Sequence, residues 1–223
     1  MLLPLLQLGD SALPIGGYSH SWGLEAAVTR GLVADPPGLE HWLRCWLQYS
    51  AGPCEGVVVA AVNRACLAGQ WQVAGEANEL LSGSLTPPTL RSASQQMGEQ
   101  LLQLAGVWQW ANEAVAALGD AGSGPWHHAV VFAALAAAAG ATPVEALRVY
   151  LHQAALGVLG AGVRAIPIGH THGQQIMARL HPLLERLADD LSGRDLETAG
   201  ACCPAYEIFC HEQSRLYSRL FRS

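Results

Sequence analysis

The stretch Asp35-Pro-Pro-Gly-Leu-Glu-His-Trp-Leu-Arg-Cys-Trp-Leu47 shows a pattern that repeats along most of the chain. Asp35 is suited to cap a helix, and a proline fits the first helical position because that position needs no backbone N–H donor. The apolar residues then recur every three to four positions, which places them on one helical face. They are Leu39, Leu43, Trp46 and Leu47. The stretch predicts an amphipathic helix that ends at Gly52-Pro53.

Working outward, the same periodicity predicts helices almost throughout and no strand. The predicted segments are Leu2 to Leu8, Tyr18 to Arg30, Cys54 to Leu67, Trp71 to Leu81, Thr86 to about Leu118, Trp126 to Gly140, Thr142 to about Gly160, a helix after Gly169 reaching Leu187, and a tail helix after Pro204. We therefore expect an all-α fold, a single-domain bundle of roughly eight to ten helices. Residues 1–190 form the helical core, and residues 191–223 are a linker and a C-terminal docking tail of the same domain.

The amino-acid composition excludes some classes of function and favours a protein with a binding partner. Of 223 residues, 51% are hydrophobic and only 13% are charged, whereas about 25% is usual. So few charges predict an apolar part of the surface that a partner covers. The net charge of -6 argues against nucleic-acid binding.

All twelve basic residues are arginine. Without lysine the chain has no Walker A lysine, Schiff-base lysine or Ser-Lys dyad, so it is not an ordinary P-loop GTPase. The start of the chain lacks a secretory signal, and the longest apolar run, Ala129 to Ala139, is too short to cross a bilayer. We expect a soluble cytoplasmic protein that does not enter a membrane. Its six cysteines are expected to be free thiols.

Four ordered motifs carry a resemblance to a known family. The first is Leu13-Pro-Ile-Gly-Gly-Tyr-Ser19, and the second is Gly23-Leu-Glu25. The third is Arg164-Ala-Ile-Pro-Ile-Gly-His-Thr-His-Gly-Gln174, and the fourth is His211-Glu212 with Ser218-Arg-Leu-Phe-Arg-Ser223. Together they span nearly the whole chain, and the chain resembles the F-type urease accessory proteins (UreF).

The resemblance implies a maturation factor rather than an enzyme. It implies a scaffold that bridges the D/H-type accessory protein (UreD or UreH) and the G-type GTPase (UreG). Such a scaffold couples GTP hydrolysis to nickel insertion into apo-urease. It also implies a homodimer within that complex, with no cofactor of its own and nickel present only in transit.

The end of the chain is the first candidate docking element. On a helix, Leu216 and Leu220 share a face, and arginines lie beside it as a second stripe. We predict that Tyr206 to Ser223 docks on the D/H-type partner; the alternative is a last helix packed on its own core. The predicted partner-binding residues of the tail are Arg215, Tyr217, Arg219, Leu220, Phe221 and Arg222.

The other motifs supply further site residues. We predict that their surface contributes to self-association or to GTPase binding, through Tyr18, Ser19, Glu25, Gly169 and Gln174. Structural roles are predicted for Gly16, Gly17, Pro167 and Arg164. The apolar neighbours of the arginine favour pairing with a carboxylate, for which Glu25 is one option; the alternative is an arginine that faces a partner. Glu212 is expected to pair with Arg215 at i+3 or to orient a neighbouring backbone.

A nickel metallochaperone is the alternative function. His170 and His172 have ligand chemistry that suits nickel, but they are two residues apart and point in different directions on a helix. The family usually has glutamine at the position of His170. Cys202 and Cys203 are a second possible metal site, with small apolar fillers as the alternative. His211-Glu212 is not a zinc-protease motif, because position 215 is arginine.

Overall fold

The computed structural model describes residues 2–223, and within that range the regular structure is helical with no strand. The predicted all-α class is confirmed. The α-helices are α1 (Leu2–Leu8), α2 (Leu24–Thr29), α3 (Pro36–Trp46), α4 (Val57–Leu67), α5 (Gln72–Ser84), α6 (Pro88–Ala105), α7 (Asn112–Ala121), α8 (His128–Ala138), α9 (Pro143–Ala165), α10 (His170–Leu191) and α11 (Pro204–Gln213). A π-helical segment covers Leu47–Gly56, and short 3₁₀ turns cover Gly17–Ser19, Gln109–Ala111 and Leu196–Thr198.

Helix α8 lies at the centre of the core. All of its residues from His128 to Ala137 are buried, as expected for a helix that is apolar on every side. It packs on α4 and α6, and α9 packs on α10 and α4. Many of the α8 residues are alanines, so the neighbouring helices approach it closely. Within residues 2–223, none of the helices combines the length and the apolarity needed to cross a bilayer.

Two helix starts follow the predicted capping chemistry. The Asp35 carboxylate accepts a 2.8 Å hydrogen bond from the Gly38 backbone N–H. At α9, Thr142 and Glu145 form a reciprocal capping box, in which the Thr142 N–H donates to the Glu145 carboxylate at 2.8 Å. Each start also carries proline in the first turn.

The predicted helix end at Gly52-Pro53 is wrong. The chain stays helical from α3 into α4 through the π-helical segment, which contains Pro53. A wider π turn tolerates the missing N–H and the bulk of the proline ring. Gly52 is needed there, since a Cβ would lie 2.6 Å from the Leu47 carbonyl oxygen. The segment also contains Glu55, which lines an internal cavity.

Two other predicted helices are shorter than expected. The segment Tyr18 to Arg30 becomes a helix only at Leu24, because Trp22 and Gly23 adopt positive φ values of 54° and 79°. The helix predicted from Thr86 to Leu118 ends at Ala105, and α7 begins only at Asn112 after a 3₁₀ turn.

The helical stripes predicted for the tail do not form. Helix α11 ends at Gln213, and the following residues run back over the protein as an irregular segment. The backbone N–H groups of Leu220, Phe221 and Arg222 donate to groups in the N-terminal motif instead of to helical carbonyls. Phe221 joins the hydrophobic core. Part of the tail therefore packs on the protein itself, but not as the helix that the alternative interpretation supposed.

Candidate docking surface

The N-terminal motif and the end of the tail, which are separated by about two hundred residues, meet in one structure that we call the tail clamp. It consists of residues 19–25 and residues 220–223. The Arg222 N–H donates to the Ser19 carbonyl oxygen at 2.8 Å, and the Trp22 N–H donates to the Ser223 carbonyl oxygen at 3.1 Å. The Ser21 N–H donates to the same Ser223 oxygen. The first of the four sequence motifs thus binds the fourth.

The Glu25 carboxylate is the centre of the tail clamp. It is buried and accepts hydrogen bonds from the backbone N–H groups of Leu220 and Phe221 and from the Gln213 side chain, the last at 3.2 Å. Ser21 completes the network, because its hydroxyl donates to the side-chain amide oxygen Oε1 of Gln213 at 2.9 Å. Phe221, Gln213 and Ser21 are buried, and a buried donor without a partner costs free energy. Glu25 therefore fixes the tail rather than facing a partner directly.

Arg164 does not pair with Glu25 or with any other carboxylate among residues 2–223. Its guanidinium donates to the carbonyl oxygens of Tyr18 at 2.7 Å and Gly160 at 3.0 Å. The guanidinium carbon lies 3.6 Å from the centre of the Tyr18 ring and 4.6 Å from that of Phe221. The predicted ion pair is therefore replaced by a cation–π sandwich, which joins the third motif to the first and the fourth.

His20 contributes a buried neutral imidazole to the tail clamp. Its Nδ1 lies 2.7 Å from the Ser223 hydroxyl oxygen. Burial and, to a smaller extent, the positive charge of Arg222 lower the pKa of His20 to about 4. The ring is therefore uncharged near neutral pH.

Backbone strain is concentrated beside these contacts. Gly16 has a φ of 84°, whereas Gly17 does not have a positive φ, so only Gly16 needs the conformational freedom of glycine at the predicted turn. Trp22 is the one non-glycine residue in the described chain with a positive φ. Strain at that position is maintained by the surrounding contacts. It accompanies the double hydrogen bond from Ser21 and Trp22 to the tail.

Part of the same region remains open to a partner. Tyr217 is fully exposed, Tyr18 is 72% exposed and Leu220 is 64% exposed. The arginines Arg215, Arg219 and Arg222 are exposed, and none of them forms an ion pair with a carboxylate of residues 2–223. We call these six residues the docking surface. Glu212 pairs with Arg30 at 2.8 Å rather than with Arg215 as predicted.

The third motif continues from Arg164 into the start of α10. Pro167 and Gly169 are exposed in the connection, and Gln174 is exposed in the first turns of α10. Gly173 is buried, and a Cβ there would lie 3.3 Å from Val163. The exposed positions are available to a partner, and a role for them in binding stays a prediction.

The predicted metal candidates are dispersed. His170 and His172 are exposed in the first turn of α10, Cys202 is exposed and Cys203 is half-buried. Residues 2–223 contain no group of three or more histidine, cysteine or acidic side chains placed to hold a metal ion. All six cysteines are free thiols.

Sequence reasoning missed a cavity of about 220 Å³ with a largely apolar lining, which we call the Glu55 cavity. Its lining includes the exposed residues Asp10 and Tyr18 and the buried residue His128, so it leads from the surface at the first motif into the core. Burial raises the pKa of Glu55 to about 7, and the Tyr150 hydroxyl donates to this carboxylate at 3.3 Å. A lone carboxylate beside the apolar run of α4 was the available signal. Other lining residues are Trp22, Trp46, Met97, Gln153, Leu156 and Arg164.

Known proteins resemble this chain along nearly its whole length. A model of the UreF family matches residues 33–181. The urease accessory protein UreF of Trichormus variabilis is 33% identical over 221 residues, which cover 99% of this chain and 95% of the relative. Those of Nostoc sp. and Thermosynechococcus vestitus are each 32% identical, with 99% and 100% of this chain covered and 95% and 97% of the relatives.

Proposed function

The chain belongs to the UreF family of urease accessory proteins, and we propose that it serves as a scaffold that bridges the D/H-type accessory protein and the G-type GTPase. Membership confirms the resemblance predicted from the four motifs, and it supports a role in urease maturation as an accessory protein. The bridging role couples GTP hydrolysis by the GTPase to nickel insertion into apo-urease.

The observation that carries the proposal is the convergence of three motifs on one exposed surface. A purely structural clamp would need only its buried members, Glu25, Ser21 and Phe221. Instead, unpaired arginines and exposed aromatic and aliphatic side chains surround it, and arginine and tyrosine are enriched at the centres of protein interfaces. We propose that the docking surface binds one maturation partner, with the D/H-type protein as the first expectation. Gly169 and Gln174 extend the same surface, and self-association as a homodimer completes the assembly.

The structure also changes how the proposal is best tested. Deleting Arg215 to Ser223 would remove Phe221 from the core and leave the Glu25 carboxylate without its tail donors, so lost binding could reflect damaged packing. The double variant Tyr217→Ala/Leu220→Ala removes only exposed side chains. Val107→Ala is the matched control, because Val107 is 77% exposed and lies in the turn after α6.

In a pull-down with the D/H-type protein and, separately, the GTPase, we expect the double variant to lose one of the two partners. The control should retain both. If the double variant binds both partners with unchanged affinity, the docking surface has been assigned wrongly.

A further inference from the structure

We propose that the Glu55 cavity is a binding site for a primary alkylammonium group, presented as a lysine side chain by the partner that covers the docking surface. The inference rests on the proposed function, and it names the chemistry of the partner's anchor. The cavity opens beside Tyr18, which belongs to the docking surface, so a side chain that projects from a bound partner would enter it there.

Two residues of the cavity lining carry acceptor atoms that lack a hydrogen-bond donor among residues 2–223. His128 is 7% exposed and Gln153 is 9% exposed, yet His128 Nε2 and Gln153 Oε1 have no hydrogen-bond partner among residues 2–223. Buried polar atoms are normally satisfied. Burial lowers the pKa of His128 to about 4, so its ring is neutral and Nε2 accepts when the ring proton is on Nδ1. With the Glu55 carboxylate these atoms make three acceptors, and an ammonium group has three donors.

The walls of the cavity also suit an alkylammonium group. Aromatic rings attract cations through their faces, and apolar side chains suit the methylene chain that carries the ammonium. The aromatic residues of the lining are Tyr18, Trp22, Trp46 and Tyr150, and apolar residues beside them include Met97 and Leu156.

The charges favour a cation over an anion. Two carboxylates, those of Asp10 and Glu55, line the cavity, and the guanidinium of Arg164 is held between the rings of Tyr18 and Phe221. An anionic ligand would be repelled by both carboxylates at close range. Because the chain contains no lysine, a lysine side chain in this cavity has to come from another molecule.

Protonation gives the site a distinctive signature. The ammonium pairs with the ionised form of Glu55, whose pKa is raised to about 7 by burial, so binding below that pH releases a proton and weakens as pH falls. The titratable and charged groups around Glu55 are Cys54 on its own segment, His128 on α8, Tyr150 on α9, Tyr206 and Glu207 on α11, and Asp10 and Arg164 at the mouth.

The first experiment titrates the full chain with n-butylammonium chloride at constant ionic strength, followed by tryptophan fluorescence and by NMR. 1-Butanol is the neutral control, and Glu55→Gln keeps the shape of the side chain while removing its charge. We expect saturable binding of butylammonium, at least tenfold weaker binding of 1-butanol, and at least tenfold weaker butylammonium binding by Glu55→Gln. Gln153→Met provides a second variant, expected to weaken binding several-fold even if Glu55→Gln folds poorly.

Equal binding of the two probes, unchanged binding by both variants, or no binding below 100 mM butylammonium would overturn the inference. A second experiment identifies the source of the ammonium group. Saturating butylammonium should reduce partner binding by the wild type relative to a sodium chloride control, and should leave partner binding by Glu55→Gln unaffected. If butylammonium binds but does not compete, the site takes a free amine and the lysine assignment is wrong.

The two proposals fail separately. A protein that binds its partners but not butylammonium contradicts only the inference about the cavity. A protein that binds butylammonium but neither maturation partner contradicts only the proposed function.

Discussion

At the residue scale, Glu25 gathers the hydrogen bonds of the tail on one buried carboxylate. Glu25→Ala leaves the N–H groups of Leu220 and Phe221 and the Gln213 amide without their acceptor, so we expect it to lower the free energy of unfolding by about 3 kcal/mol. Glu25→Gln retains one carbonyl acceptor and should cost less. Urea unfolding measures both, with the exposed Glu197→Ala as a control that changes stability by less than about 0.5 kcal/mol. Equal stability of Glu25→Ala and the control would contradict the clamp.

Buried histidines make stability depend on pH. His20, His127 and His128 all have pKa values lowered to about 4, mainly by burial. The unfolded chain therefore binds protons first, and the stability present above pH 6.5 is lost as pH falls toward 4, by up to roughly 2 kcal/mol per histidine at pH 5. Glu55 has the opposite effect, because its pKa is raised to about 7. Its contribution to the free energy of unfolding is fully present below pH 4.5 and is lost as pH rises through 7.

Three such histidines outweigh one such carboxylate. We therefore expect the urea concentration at the unfolding midpoint to decrease when the pH is lowered from 7.5 to 5. His20→Gln should reduce the size of that fall, because it removes one group that binds protons only after unfolding. A midpoint that rises on acidification would show that these imidazoles are not buried and neutral.

His170 and His172 give a prediction about metal. Both are exposed and no further histidine, cysteine or acidic side chain of residues 2–223 joins them in a metal-binding group. Replacing both by glutamine should therefore leave nickel binding, measured by equilibrium dialysis, and urease activation largely unchanged. If the double variant lost both a tight nickel site and the ability to activate urease, the result would favour the metallochaperone alternative.

Sequence reasoning selected several of these residues but not their contacts. Glu25, Arg164 and the tail stood out because their residue types are unusual in their local surroundings. Leu220 lies 195 positions from Glu25 and Tyr18 lies 146 positions from Arg164, and helical spacing carries no information about contacts at such separations. Glu55 was missed for the same reason, since its acceptor neighbours come from α8 and α9.

At the scale of elements, the approach of α6 to the residues that lead into α8 depends on one glycine. A Cβ at Gly98 of α6 would overlap the Trp126 carbonyl oxygen at the start of α8. Gly98→Ala should therefore force α6 and α8 apart and destabilise the protein by about 2 kcal/mol or more. Gly119→Ala is the matched control, because a Cβ there meets nothing within 4 Å and alanine favours helix by about 1 kcal/mol. Thermal unfolding should move the two melting temperatures in opposite directions.

Helix starts were easier to predict than helix ends. Asp35 and Thr142 act within three residues of their own positions, so capping chemistry is visible in the sequence. The passage of α3 into α4 across Pro53 is not, because the tertiary packing of the π-helical segment overrides the local tendency of proline to end a helix. The tail failed similarly: its periodicity suits a helix, but contacts with the first motif satisfy its backbone better.

At the scale of the whole molecule, family and fold class could be predicted while the arrangement of the motifs could not. Helical periodicity is repeated in many segments, so errors in single elements do not change the class. The meeting of the first, third and fourth motifs depends on the complete packing of α2, α9 and α11. That packing converts dispersed motifs into one candidate docking surface.

The tail clamp also has a consequence for the time at which the protein becomes competent. During synthesis the first motif emerges before residues 220–223, which bind to it, have been made. The helices of the core are complete before this contact exists. A chain that is still being translated, or one that stops short of residue 220, therefore lacks the finished surface. Under the proposed function, such a chain is expected not to recruit the partner of the docking surface.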